Sequence, residues 1–193
     1  LEGAGKKLSV MSPDKRITVE VELGEKIYYS VSLGEEKLLE RSPVSMTLQK
    51  KKKMVVLGEN PKVVSANRNT VNKVIKPVVR QKSASIKEHY NELTIKFKKK
   101  YRLIFRVYNN GVAYRFSTKY RKKIRVMSEE VCFNLAGDYL VYFPEEKSFQ
   151  SHNERKYVET KVSEISKDRF CSLPALAASA SAIASCTWCS LFS

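Results

Sequence analysis

Acid–base or metal chemistry in this chain would have to start from two histidines, His89 and His152, and two adjacent carboxylate pairs, Glu129-Glu130 and Glu145-Glu146. The histidines are far apart, and neither belongs to the i, i+4 pattern of a zinc-binding helix. Adjacent residues on a strand point to opposite faces, so neither carboxylate pair suits a shared acid–base site. Ser151-His152-Asn153-Glu154 is a denser polar cluster, placed after an aromatic run and a turn at Pro144. Its amide and carboxylate oxygens suit a hard cation such as calcium, but one segment supplies too few of them to hold the ion alone. His152, Asn153 and Glu154 are marked for that polarity, with no ion assigned to them. Cys186-Thr-Trp-Cys189 has redox or metal-ligand spacing, yet no βαβ pattern precedes it and no second ligand pair accompanies it. Cys132 and Cys171 lie in apolar contexts and are expected as buried free thiols. Glycine-rich phosphate loops, nucleophile elbows and Cys/His pairings do not occur. No catalytic residue and no metal ligand is assigned.

The other chemically loaded stretch is basic. The formal net charge is +16, and the runs Lys50 to Lys53, Lys98 to Lys100 and Arg121 to Lys123 each sit between apolar segments. Turns usually carry Gly, Asn or Asp there, so these runs are expected as solvated loop tips. From Lys96 to Arg125 there are twelve basic residues and no acidic one, interleaved with Tyr101, Phe105, Tyr108, Tyr114, Phe116 and Tyr120. That is the make-up of a nucleic-acid surface. Most of these aromatics fall on the core-facing register of their strands, which makes nucleic acid the less favoured partner.

The elements that must position these residues read as strands. At 193 residues, with 42% hydrophobic and 29% charged side chains, the chain suits one folded domain that needs no disulfides. Ile17, Val19, Val21 and Leu23 alternate with polar residues, and Ile27, Tyr29, Val31 and Leu33 repeat the pattern, which predicts a hairpin over residues 16–33. Ser42-Pro43 predicts a turn; Val63-Val64 and Val71 to Ile75 are expected at a sheet edge, because Pro61 and Pro77 flank them. Leu93, Ile95 and Phe97 run out to the Lys98–Lys100 tip, and Tyr101, Leu103, Phe105 and Val107 return. Strands recur about every 8–12 residues without an amphipathic helix between them, the spacing of an antiparallel all-β sandwich. The clearest signal is Phe105 to Phe116, where Asn110-Gly111 predicts a two-residue type I′ turn. That register sets Arg106 opposite Arg115 as a structural arginine pair, with a carboxylate such as Glu92, Glu129 or Glu130 expected to meet one of them.

The two ends differ from this pattern. Leu1-Glu-Gly-Ala-Gly lacks the apolar segment of a signal peptide. No charged residue follows Arg169, and Ala and Ser dominate from Ala175. Six serines and few large apolar residues argue against membrane insertion of this tail; a docked helix, an extended segment and a disordered end remain open.

The order Ser12-Pro13-Asp14, Ser42-Pro43, Tyr90-Asn91-Glu92, Phe105 to Phe116, Glu129-Glu130, Asn153-Glu154-x-x-Tyr157 and Leu173-Pro174 resembles the N-terminal domain of glycoside hydrolase family 97. The resemblance spans roughly residues 8–176. It implies an antiparallel β-super-sandwich of the galactose-mutarotase-like kind, preceded by an extension over 1–7 and followed by an Ala/Ser-rich tail over 177–193. It implies a role in a bacterial α-glucosidase or α-galactosidase, accessory to a (β/α)₈ barrel that holds the catalytic carboxylates and is absent here. An α-linked oligosaccharide is the implied ligand, His152, Asn153 and Glu154 are the residues the resemblance implies would face it or the barrel, and the periplasm or exterior is the implied location. Calcium serves the complete family enzymes, but the acidic motif expected after Leu173-Pro174 is replaced by the tail, so no calcium site is carried over. The alternatives are a stand-alone carbohydrate-binding module and a basic nucleic-acid-binding domain.

Overall fold

The computed structural model describes residues 6–79, 83–148, 150–152, 154–172, 175–178 and 183–186. They form two compact units, 1–136 and 137–193. In the first, β1 (Lys6–Met11), β2 (Ile17–Leu23), β3 (Ile27–Leu33), β4 (Glu36–Lys50), β5 (Lys53–Leu57) and β10 (Arg125–Val131) make one antiparallel sheet ordered β1-β2-β3-β4-β10, with β5 also on β4. β6 (Val63–Ile75), β7 (Ile86–Phe97), β8 (Tyr101–Tyr108) and β9 (Gly111–Thr118) make the other, in chain order. Both sheets are built as the alternation demands. β2 and β8 bury every second residue, and Val19, Val21, Ile27, Leu93, Ile95, Leu103, Phe105 and Val107 are all fully buried in one core cluster. Each such side chain contributes roughly 1.5–3 kcal/mol. The result is the expected antiparallel β-sandwich.

Two predicted turns differ. Ser42-Pro43 lies inside β4, whose register with β3 shifts at Tyr29, Val31 and Ser32. A proline is tolerated in a strand at such an irregularity. The length of β4 lets it pair with β3 over residues 36–44 and with β5 over residues 46–50. The β8–β9 turn is Asn109-Asn110, because Tyr108 pairs with Gly111. None of Asn109, Asn110 and Gly111 has positive φ, so the turn is not type I′ in either register. Moving the turn by one residue leaves the in–out alternation of both strands intact, which is why apolar patterning did not choose between the registers. The two segments expected at a sheet edge are the ends of one continuous strand, β6, which does lie at the edge.

The sheets are closed against each other by specific contacts. The ring of Tyr29 meets Phe105 at 5.8 Å and Tyr114 at 5.5 Å between centroids. The Gly58 N–H donates to the Tyr101 hydroxyl at 3.2 Å. Gly58 has φ +101°, and a Cβ there would stand 2.7 Å from the Val44 carbonyl oxygen, so only glycine fits.

The second unit holds β11 (Leu140–Phe143), β12 (Glu145–Glu146), β13 (Val158–Lys161), β14 (Phe170–Cys171), β15 (Ala175–Ala178) and β16 (Ile183–Cys186). Four of them form a sheet ordered β13-β11-β15-β16, and β12 pairs with β14. The described part of the Ala/Ser-rich tail is thus extended, and the expected boundary at 176/177 falls inside β15. Among the described residues no helix is long and apolar enough to cross a membrane.

Candidate functional site

The outer face of the β6–β9 sheet carries the arginines singled out above. Register places Arg106 opposite Glu92 on β7 and Ala113 on β9, and Arg115 opposite Ile104. The two arginines therefore share a face but do not oppose each other, as a consequence of the one-residue shift of the turn. Arg106 Nε donates to Glu92 Oε2 at 2.9 Å, and its guanidinium carbon lies 4.5 Å from the Tyr90 ring centroid. Burial opposes the charge on Arg106, but Glu92 and the neighbouring tyrosines outweigh it and raise its pKa. Burial likewise pushes the Tyr90 phenol up. Glu92 is the carboxylate partner; Arg115 is exposed and makes no ion pair among the described residues.

In the second unit, the segment between β12 and β13 carries the polar cluster. His152 and Glu154 are exposed, and Asn153 lies outside the described residues. Beside them Glu146 is buried, and its Oε2 accepts from Arg155 Nε at 3.0 Å. Burial works to raise this carboxyl, yet Arg155, Ser151 and Ser172 hold it below the usual range. Glu145 accepts both Nε and Nη2 of Arg169, at 2.7 and 3.1 Å, which lowers its pKa. The adjacent acids thus serve two different arginines, as strand geometry requires. Among the described residues no group of three or more His, Cys, Asp or Glu side chains is placed to hold a metal ion. Cys132 and Cys171 are free but half-buried, not buried as their apolar contexts predict. Burial raises the Cys171 thiol. The side chains of Cys186 and Cys189 lie outside the described residues.

A cleft of about 480 Å³ with mixed polar and apolar walls opens between β1 and the β6–β7 strands, lined by Ser9, Met11, Arg68, Asn69, Thr70 and Asn91 among others. Much of its polarity is engaged in joining the strands. Arg68 Nε donates to the Ser9 carbonyl at 2.9 Å, Asn91 Nδ2 to the Met11 carbonyl at 2.8 Å, and Thr70 Oγ1 to Asn91 Oδ1 at 2.7 Å.

The same holds for Ser12, Asp14, Ser42 and Glu130, which also carry the family resemblance. Ser12 is buried, accepts the Ile17 N–H at 2.9 Å and donates to Asp14; Asp14 in turn donates its N–H to Asn109 at the β8–β9 turn. Ser42 donates to the Glu40 carbonyl and accepts the Asn134 N–H. Glu130 accepts from Ser45 at 2.8 Å and Lys26 at 3.3 Å. These are stitches between strands rather than reacting groups. The aromatics of the basic stretch are spent in the same way: Tyr101 and Phe105 are in the core, with Tyr114, Phe116 and Tyr120 packed on it. Sequence reading missed two features: the Glu146–Arg155 pair, joined across a loop, and Arg102, whose position in the β8 alternation marks it as a face-mate of Arg106.

Comparison with known proteins gives a consistent result. Residues 10–187 match the family described as Glycosyl-hydrolase 97 N-terminal. A retaining alpha-galactosidase of Bacteroides thetaiotaomicron is 30% identical over 180 residues, covering 89% of this chain and 27% of that enzyme. A beta-arabinopyranosidase crystal structure superposes with TM-score 0.73 at 22% identity, over 88% of this chain and 29% of that one. A Glycoside Hydrolase Family 97 enzyme from Pseudoalteromonas sp. strain K8, in complex with panose, superposes with TM-score 0.69 at 16% identity, over 81% and 25%. The chain spans between 25% and 29% of the length of each of these relatives.

Proposed function

Because the chain belongs to the glycosyl-hydrolase 97 N-terminal family, we propose that it is the β-sandwich portion of an α-glycosidase, accessory to a catalytic barrel and inactive alone. The observation that carries this reading is a family match over residues 10–187 in a chain that spans 27% of its galactosidase relative. Glycoside hydrolysis needs two carboxyls across the scissile bond, in most families with one kept protonated. The shifted carboxyls of this chain (Asp14, Glu22, Asp138, Glu145, Glu146, Glu164 and Asp168) all move down, so each is ionised at neutral pH and unfit as a general acid.

In this reading a barrel, which needs about 250 residues, supplies the chemistry, and His152, Asn153 and Glu154 face it or its α-linked oligosaccharide. Calcium serves the complete enzyme; Glu145 and Glu146 do not make a calcium cage, because arginines hold both oxygens of Glu145 and Oε2 of Glu146, and among the described residues no third His, Cys, Asp or Glu joins them. The parent enzyme acts in the periplasm or outside the cell, a placement that fractionation of the source cells checks and a cytosolic pool would contradict. The central test is hydrolysis of aryl α-glucosides and α-galactosides by this chain alone. No release above buffer is expected; clear turnover overturns the accessory role.

The cleft between β1 and β6, with amide and hydroxyl groups beside apolar surface, favours a second reading, a carbohydrate-binding module. Calorimetric titration with maltooligosaccharides decides it, since absence of heat up to millimolar sugar removes its support.

A further inference from the structure

Strand register sets three cations as neighbours on the outer face of the β6–β9 sheet, with no carboxylate among them. Lys96 on β7 pairs with Arg102 on β8, and Arg102 pairs with Ser117 on β9. Arg115 stands one step along β9, opposite Ile104, and therefore diagonal to Arg102. Residues directly opposite have Cβ atoms roughly 4.5–5.5 Å apart, and like charges placed so repel. The nearest acid on this face, Glu92, is two strand steps beyond Lys96 and already taken by Arg106 and Thr94. Lys96 and Arg115 are exposed and make no ion pair among the described residues. Arg102 is half-buried; one terminal nitrogen donates to Ser117 Oγ at 3.2 Å, while its buried Nε has no acceptor. Ser117, having accepted that bond, keeps its own O–H to donate. Ile104 forms a floor that is only 5% exposed, and electrostatic attraction is stronger beside such apolar surface. The Lys98–Lys100 tip lies at the same end of the sheet and adds positive potential.

We propose that Lys96, Arg102, Arg115 and Ser117 form a binding site for a compact oxyanion, a phosphate or sulfate group. Three cations and a hydroxyl on three adjoining strands offer more donors than a carboxylate has oxygens, and guanidinium forks match such anions. The anion relieves the repulsion between Lys96 and Arg102 that the bare face leaves uncompensated.

Isothermal titration of the full chain with inorganic phosphate, at fixed ionic strength set by chloride, tests this. Saturable binding is expected, weakened at least tenfold in Arg115→Gln and unchanged in Lys52→Gln, a control at a different tip. Sulfate and phosphate also stabilise proteins by exclusion from the surface, so thermal shifts are compared between variants. Arg102→Met should abolish the phosphate-dependent rise in Tm without lowering Tm in its absence. Titration with glucose 6-phosphate distinguishes sources: tighter binding than inorganic phosphate assigns the group to a sugar ester, equal binding to the free ion. Absence of heat, or the same response in wild type and Arg115→Gln, overturns the site.

Discussion

Arg106 and Asp14 show what polar side chains do in this molecule. Arg106 is clamped by Glu92 and lies over Tyr90, so replacing it strands a half-buried carboxylate and uncovers an aromatic ring. Both partners keep some contact with water, which limits the loss to about 1–2 kcal/mol. Arg106→Leu should therefore lower Tm by roughly 3–8 °C; an unchanged melt means the pair contributes nothing. Asp14 is held down to about 2 by hydrogen bonds first from Ser12 and then from Arg16. Its folded pKa lies below its ordinary 3.8, so the stabilisation is present above pH 3.8 and fades as pH falls toward 2. Asp14→Asn should melt below wild type at pH 6, and the two curves should converge between pH 4 and 2. A gap that persists at pH 2 rejects ionisation as the cause. A carboxylate partner for one of the two arginines was legible from residue types, but strand register, not residue type, selects Glu92 from the three candidates and gives it to Arg106. The partner of Arg155 was not, because a loop contact has no sequence period to reveal it.

At the scale of elements, the tight turns carry the unusual backbone. Lys15, Lys51, Asn60 and Lys100 adopt positive φ, at 62°, 57°, 43° and 59°. An L side chain with a Cβ is disfavoured there by roughly 1–2 kcal/mol, and glycine gives back part of that gain through its greater unfolded freedom. Lys100→Gly should accordingly stabilise the β7–β8 hairpin by about 0.5–1 kcal/mol and raise Tm by roughly 1–4 °C. A lower Tm would show that the lysine makes a compensating contact. The lysine runs identified the tips in the sequence, but lysine is not a residue that announces a left-handed turn. Strand identity and sidedness were legible because burial in β2, β3, β7 and β8 follows a period of two, broken only where Tyr90 and Ile104 are also buried on the other face. Turn position was harder to read. Sliding the β8–β9 turn by one residue buries the same Phe105, Val107, Tyr114 and Phe116, so the hydrophobic pattern is silent on it, and Asn110-Gly111 pointed one residue too far. Ser42-Pro43 misled for a related reason, since a bulged strand can absorb a proline that a flat one cannot.

The whole molecule carries +16, and that charge decides how salt acts on it. Two effects oppose each other. Ion pairs such as Arg41–Glu22, Arg16–Asp14 and Lys73–Glu88 are largely exposed on the cationic side, and screening weakens them, but exposed pairs contribute little, typically about 0–1 kcal/mol each. Self-repulsion among the excess lysines and arginines is spread over the molecule, and it grows with the square of the charge while the pairs add singly. The Debye length falls from about 30 Å at 10 mM salt to about 8 Å at 150 mM, a span over which separated lysine tips stop sensing one another whereas contact pairs still do. Compactness therefore benefits more than the pairs suffer. Raising sodium chloride from 10 to 150 mM should increase Tm, most steeply at the low end, and then level off. Chloride is the right salt for this measurement, because phosphate or sulfate would add binding at Lys96, Arg102 and Arg115 to the screening. A Tm that falls across the same range would mean that paired charges outweigh the net excess, and that the basic tips are neutralised within the fold.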